Sequence, residues 1–220
     1  MDAIECIRSR MSIRKFKPEL VPIALLKAVV DTAKWSPSYK NTQPWEVAIV
    51  SGKKKEELSK ILIGLVENGT KPSPDIPEPQ SWPPVIEARI DALMKKRSEL
   101  MGVDLYSLDA LRKAKIMNFQ FYGAPHGMFL FQDSSLPTWS IFDMGLFSQS
   151  VMLAAHAHGL GTVPQAFVTD YARHVKQFFG IPETKRLILG ISVGYPDLES
   201  PVNKFRTDRV ETDEIVRFVE

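Results

Sequence analysis

The chain has 220 residues, 44% of them hydrophobic and 25% charged, which suits one domain with a core that needs no covalent staples. A single cysteine, Cys6, excludes an internal disulfide framework, and a net charge of +2 argues against a nucleic-acid binder. No stretch reaches the roughly 18 apolar residues of a membrane span, and Met1-Asp2-Ala3-Ile4-Glu5 is acidic where a secretory leader is basic, so a cytoplasmic protein with no membrane partner is expected.

In chain order, residues Asp2 to Ser9 suggest a short helix, with Ile4 and Ile7 on one side. From Val21 to Trp35 the positions Leu26, Val29, Val30 and Ala33 form one helical stripe, and Pro22 suits a first turn. Ser36 to Trp45, with Pro37 and Pro44, reads as a loop; Glu46 to Val50 follows as a strand closed by Ser51-Gly52, and Lys53 to Val66 as an amphipathic helix. Six prolines between Lys71 and Pro84 forbid helix interior and ladder pairing, leaving an extended loop, either a cover or a mobile linker. Helices are predicted over Val85 to Met101 and Leu108 to Phe121, then a buried strand over Gly127 to Gln132. A long helix over Thr138 to His158, apolar enough to lie inside protein despite Asp143, ends at Gly159. Thr169 to Phe179 is a helix stopped by Gly180 and Pro182, Arg186 to Val193 a strand, and from Pro196 onward the chain is a polar tail without periodicity. Helices outnumber strands and do not alternate with them, which predicts an α+β fold, a small sheet flanked by helices.

Several chemistries are missing. Gly159-Leu160-Gly161 opens like a dinucleotide fingerprint, but Pro164 stands where its third glycine belongs, and no phosphate-loop or hydrolase-elbow motif occurs. His156 and His158 are two apart on a predicted helix and do not share a face, so no metal site is expected. An enzyme so equipped has no side chain to nominate as catalytic and would take its reactivity from an organic cofactor.

Four segments are candidates for holding one. In Ser9-Arg10-Met11-Ser12-Ile13-Arg14-Lys15-Phe16, an extended backbone would aim Arg10, Ser12 and Arg14 to one side, an arrangement that suits a phosphate dianion; a solvated basic turn has the same composition. Pro37-Ser38-Tyr39-Lys40-Asn41-Thr42-Gln43-Pro44-Trp45 offers hydroxyl and amide groups to the polar edge of a heterocycle, or is simply a turn into a strand. Gly159 to Phe167 combines small residues that admit a flat ligand with Pro164, Gln165 and Ala166, or is a helix cap and turn. Asn203 to Arg209 adds Arg206 and Arg209 from the far end of the chain, or is a basic tail.

In this order the segments Ser-Ile-Arg-Lys-Phe, Pro-Ser-x-x-Asn-x-Gln-Pro-Trp and Gly-Leu-Gly-Thr-x-Pro-Gln resemble the nitroreductase family of flavoproteins, over about Ile7 to Val216. The resemblance implies a small, mostly antiparallel sheet flanked by helices in an intertwined homodimer, with FMN at the subunit interface. By position, Arg10, Ser12 and Arg14 would hold phosphate and ribityl, completed by Arg209 and Arg206. Pro37, Ser38, Tyr39 and Asn41 would approach the ring from the other subunit, while Gln165 and Ala166, beside Pro164, would offer backbone amides to its polar edge. Asn118 lies in a further segment similar to the family, whereas Met11 departs from the polar residue usual at its place. The implied reaction is ping-pong: NADH or NADPH delivers hydride to the flavin, and a nitroaromatic or quinone-like acceptor removes it. The family also holds dehalogenases and dehydrogenases, and a non-catalytic flavin-binding protein would share the fold, so fold alone does not choose. The 1–220 domain carries an insertion at about 71–117, expected either to cover the pocket or to wrap the partner.

Overall fold

The run Gly127-Met128-Phe129-Leu130-Phe131 has no polar face, so a strand built from it must be covered on both sides. In the computed structural model, which describes residues 1–220, it lies within β2 (His126–Asp133), whose first seven residues are buried. β2 pairs antiparallel with β1 (Glu46–Ser51) on one side and β4 (Lys185–Gly194) on the other, and β3 (Gly161–Gln165) adds antiparallel to β4, giving the order β1-β2-β4-β3. Met128 and Leu130 face one core together with Ile191 and Val193; Phe129 and Phe131 face a second core together with Leu187. Leu187 and Ile191 are four residues apart and would share a face of a regular strand. They do not, because the register slips where Leu130 pairs with Leu189 but Phe131 pairs with Leu187, so that Ile188 is the extra residue of a bulge.

The first core is closed by α2 (Ile23–Ala33) and α6 (Trp139–Ala157), through Leu26, Val29 and Ala33 on one and Met144, Phe147 and Val151 on the other. Trp45 stacks on Phe147 at 4.8 Å. The second core is closed by α3 (Gly52–Glu67), α5 (Leu108–Phe119) and α7 (Ala172–Phe179), through Leu58, Leu62, Phe119 and Val175. Each fully buried side chain of this kind contributes about 1.5–3 kcal/mol relative to exposure. The outer helices are α1 (Ala3–Ser9), capped by the Asp2 carboxylate, which accepts from Glu5 N at 2.9 Å, and α4 (Pro84–Met101), which buries no residue. The α+β architecture anticipated from the sequence is present, and no helix is long and apolar enough to cross a membrane.

Three local expectations change. Gly161 to Gln165, expected to admit a flat ligand or else to form a cap and turn and in neither case a strand, is the edge strand β3; a proline belongs in a strand only at an edge, and Pro164 is exposed there. Gly159, at φ +75°, is the left-handed turn that frees the chain to enter it. The helix expected from Thr169 begins instead as a 310 turn over Phe167–Tyr171, and the one expected to reach Phe121 stops at Phe119. The proline-rich segment is also not a free linker. Thr70 O accepts from the Tyr171 hydroxyl (3.1 Å), Ser73 N donates to Asp170 O (2.7 Å), and Asp75 accepts from both Lys176 Nζ (3.1 Å) and Leu187 N (2.8 Å).

Candidate active site

Residues 10–16 run extended beside β3. Ile13 N donates to Thr162 O at 2.9 Å, Ser12 forms a parallel bridge to Thr162, and Ile13 and Phe16 are buried. Phe16, of the same parity as Arg10, Ser12 and Arg14, departs from the alternation and is buried; with Ile13 turned inward, its neighbours Ser12 and Arg14, and Arg10 with them, stay on the outward side. They line a cavity of about 450 Å³, and the opposite wall is Phe205, Arg206, Thr207 and Arg209. Arg8 and Met11 also reach it, so five guanidinium groups from the two ends of the chain surround one space with no carboxylate in its lining. Burial, then Arg209 and Arg206, push the pKa of Arg10 below its ordinary value.

Two contacts hold the walls in place. Arg206 Nη1 donates to Ser9 O at 2.9 Å. Asn203, buried, accepts from Arg14 N at 2.7 Å and donates to Lys15 O and Asp197 O at 2.8 Å each, joining the N-terminal segment to the C-terminal one. Arg209 is braced by Thr207, whose hydroxyl accepts from Arg209 Nη1 at 2.7 Å. On the outer side, α4 lies against the same C-terminal segment, with Lys96 paired to Asp208 at 2.7 Å and Arg89 to Glu214 at 3.5 Å.

Gln165 and Asn118 come together away from solvent. Ser192 Oγ donates to Gln165 Oε1 at 2.6 Å; Gln165 Nε2 donates to the backbone and side-chain oxygens of Asn118; Asn118 Nδ2 donates to the Tyr122 hydroxyl oxygen at 3.2 Å. Their amides are thus spent inside the protein, leaving exposed Pro164 and Ala166 at the surface of this edge.

Pro37, Ser38, Tyr39 and Asn41 are not at the arginine cavity. Their loop is pinned at a different place, where Tyr39 N donates to the buried carboxylate of Asp143 and Gln43 N donates to Ser38 Oγ at 3.0 Å. Lys40, Asn41 and Gln43 all sit at positive φ, a strain that tends to gather at functional sites. Tyr39 helps line a separate cavity of about 610 Å³ with Leu136, Trp139 and Asp143. Trp139, in its lining, and Phe142, whose ring lies 5.9 Å from that of Trp139, are exposed by 61% and 62%, an apolar face that nothing in the chain covers.

Sequence reasoning missed three contributors. Asn203 was quoted only as the start of a basic run. Asp143 had a visible signal, a lone carboxylate inside an apolar helix. Arg97, half-buried on α4, belongs to no pattern at all; burial, then the charge of Arg14, hold its pKa below the ordinary value.

The model of the Nitroreductase family matches residues 7–195, which takes in the basic segment, the loop at 37–45 and all four strands. The chain belongs to the nitroreductase family. Among its relatives in that family, a 4-nitrobenzoate reductase of Pseudomonas putida is 34% identical over 92% of this chain and 89% of its own. The crystal structure of the FMN-dependent nitroreductase NfnB from Mycobacterium smegmatis in complex with NADPH superposes with a TM-score of 0.93, at 32% identity over 99% of this chain and 98% of that one. An FMN- and NADPH-dependent nitroreductase NfnB from a Sphingopyxis strain gives a TM-score of 0.95 at 26% identity, with both chains covered completely. These family members bear out the nitroreductase-like fold expected from the sequence.

Proposed function

We propose that this chain is an FMN-dependent oxidoreductase that uses NADPH or NADH to reduce nitroaromatic or quinone-like acceptors, and that it works as a homodimer. The observation that carries the reading is the arginine cavity. Five guanidiniums with no carboxylate among them make a poor resting surface but fit a phosphate dianion, which supplies the missing charge. Relatives named for FMN, NADPH and nitroaromatic reduction supply the rest.

In this reading Arg10, Ser12, Arg14, Arg206 and Arg209 hold the phosphate and ribityl chain. Pro164, Gln165 and Ala166, on edge strand β3, stand beside the ring's polar edge, and Asn118 acts by holding Gln165 and Tyr122 in position. The redox chemistry is that of FMN when bound: hydride enters from the nicotinamide and electrons leave to the acceptor in alternate half-reactions. The chain's own part is to orient the reactants, place positive charge near the ring and exclude water.

A second copy is needed to complete such a site. The loop carrying Pro37, Ser38, Tyr39 and Asn41 is fixed away from the arginine cavity but beside the uncovered aromatic face, so it would reach the ring of the other copy. At the end of the chain, Ile215, Phe218 and Val219 are exposed by 70%, 85% and 87%, apolar residues without a surface of their own to cover.

The test is a visible spectrum of the protein after FMN loading, followed by anaerobic NADPH and then a nitroaromatic. Flavin bands that bleach and return support the reading. A protein that stays colourless after loading overturns it, and one that is coloured but never bleached is a flavin carrier.

A further inference from the structure

Asp143 is a buried carboxylate without a cation. It stands in the second turn of α6, exposed by 2%, and accepts from Tyr39 N alone, at 3.2 Å to one oxygen and 3.3 Å to the other. A charge taken out of water is costly unless it is well partnered, and an apolar residue of its size would serve the core better.

What this carboxylate holds is a segment that would not keep its shape unaided. Lys40, Asn41 and Gln43 sit at φ +50°, +57° and +46°, each costly for a residue other than glycine, and such backbone persists only where its surroundings fix it. The fixing comes from one stripe of α6. Asp143, Phe147 and Ser150 follow at i, i+4 and i+7, a single face of the helix. Asp143 takes Tyr39 N, the Phe147 ring stacks on Trp45 at 4.8 Å, and Ser150 Oγ lies 2.7 Å from Ser36 Oγ. The loop is thus tied to the same face at its beginning, middle and end, while Tyr39 and Asn41 remain exposed. Its backbone is held inward and its side chains are offered outward.

We propose that Asp143 is a positioning residue for the flavin site of the other copy, acting through Tyr39 N to hold Pro37, Ser38, Tyr39 and Asn41 in the shape that meets the ring there. The proposal rests on the flavin and two-copy reading given above. Its working part is the acceptor oxygen rather than the charge. No residue of the stripe or of the loop lines the arginine cavity, so ring placement and phosphate grip are separable and belong to opposite copies.

The experiment compares Asp143→Leu, which removes the acceptor at similar volume, with Asp143→Asn, which keeps one. In FMN-loaded Asp143→Leu the flavin bands are expected to shift, and kcat with NADPH and a nitroaromatic to fall about tenfold to a hundredfold. The ratio of FMN to riboflavin affinity, which reads the phosphate grip, is expected to stay at the wild-type value. Asp143→Asn should restore both the bands and kcat. If Asp143→Leu does not fold, Ser150→Ala removes the second tie, and the same signature is expected at about threefold. Mixed dimers, purified through two tags, test the crossing between copies. A copy carrying Arg14→Ala and Arg209→Ala, paired with an Asp143→Leu copy, joins intact arginines to an intact loop at one site, so kcat should return there although neither parent dimer has it. Wild-type kcat in the variants that lose a tie, a fallen FMN-to-riboflavin ratio, no rescue by Asp143→Asn, or mixed dimers no better than their parents each overturn the proposal. Failure of the wild type to take up FMN strikes the flavin reading itself, and is seen before any variant is made.

Discussion

At the scale of single residues, the cavity's charge is its most testable property. Removing one guanidinium from a phosphate site forfeits a charge-assisted hydrogen bond, so Arg14→Ala and Arg209→Ala are each expected to weaken FMN binding about tenfold to a hundredfold by fluorescence titration. Unchanged affinity in both would remove the pocket. Gly161 makes a different point. The sequence suggested that its smallness admits a ligand; a Cβ there would instead lie 2.7 Å from Cγ1 of Ile13, the residue that seats the 10–14 segment on β3. Gly161→Ala should therefore cost about 1–3 kcal/mol of stability, read as a shift in urea midpoint. Arg10 and Arg14 were legible because two cations alternating with a serine form a pattern in one short segment. Asn203 was not, because what it does depends on Arg14 and Lys15, brought from a distant part of the chain.

At the scale of elements, the strap at residues 70–76 governs what the insertion can do. Lys176 is nearly inaccessible, with 4% of its side chain exposed, and burial opposes its charge; hydrogen bonds to Glu183 and Asp75 outweigh that cost and raise its pKa. Asp75→Ala leaves Lys176 with Glu183 as its one carboxylate, beside Lys185 O, and takes the acceptor from Leu187 N, at a cost on the order of 2–3 kcal/mol in urea unfolding. Deleting residues 71–84 would thus disturb the core, so point variants on α4 are the cleaner test of whether the insertion selects among acceptors. Most helices were readable from stripes and caps. β3 was not: five residues with a proline and a glycine carry no strand signal, and their partner β4 lies on the far side of α7 in sequence.

At the scale of the whole molecule, two histidines couple stability to acidity. His126 Nε2 accepts from Val21 N at 2.9 Å, so Nδ1 carries the proton toward Ser51 Oγ and the ring is neutral. Burial, then Lys55, lower its pKa; burial, then Arg10 and Arg206, lower that of His156 against the pull of Glu5. With folded values below the ordinary 6.5, the unfolded chain takes up protons first. Their stabilising contribution is complete above about pH 6.5 and is lost as pH falls through the folded values, so the urea midpoint should drop between pH 7.5 and 5.5. A flat profile would contradict the neutral assignments. The apolar tail belongs to the same scale. Ending the chain at Val210 removes exposed Ile215, Phe218 and Val219 without touching either core, and should weaken the proposed dimer, read by sedimentation, while the fold persists.

The strand order has a consequence for how the protein is made. β2, buried on both faces, is bordered by β1 and β4, and both ladders join residues distant in the chain, Val50 with Gly127 and Met128 with Ile191. A ribosome releases β2 long before β4, so the stickiest strand of the molecule waits with an open edge until almost the last segment emerges. Such long-range pairing folds slowly and exposes the nascent chain to misassembly, so the yield of folded protein is expected to rise when synthesis is slowed at low temperature.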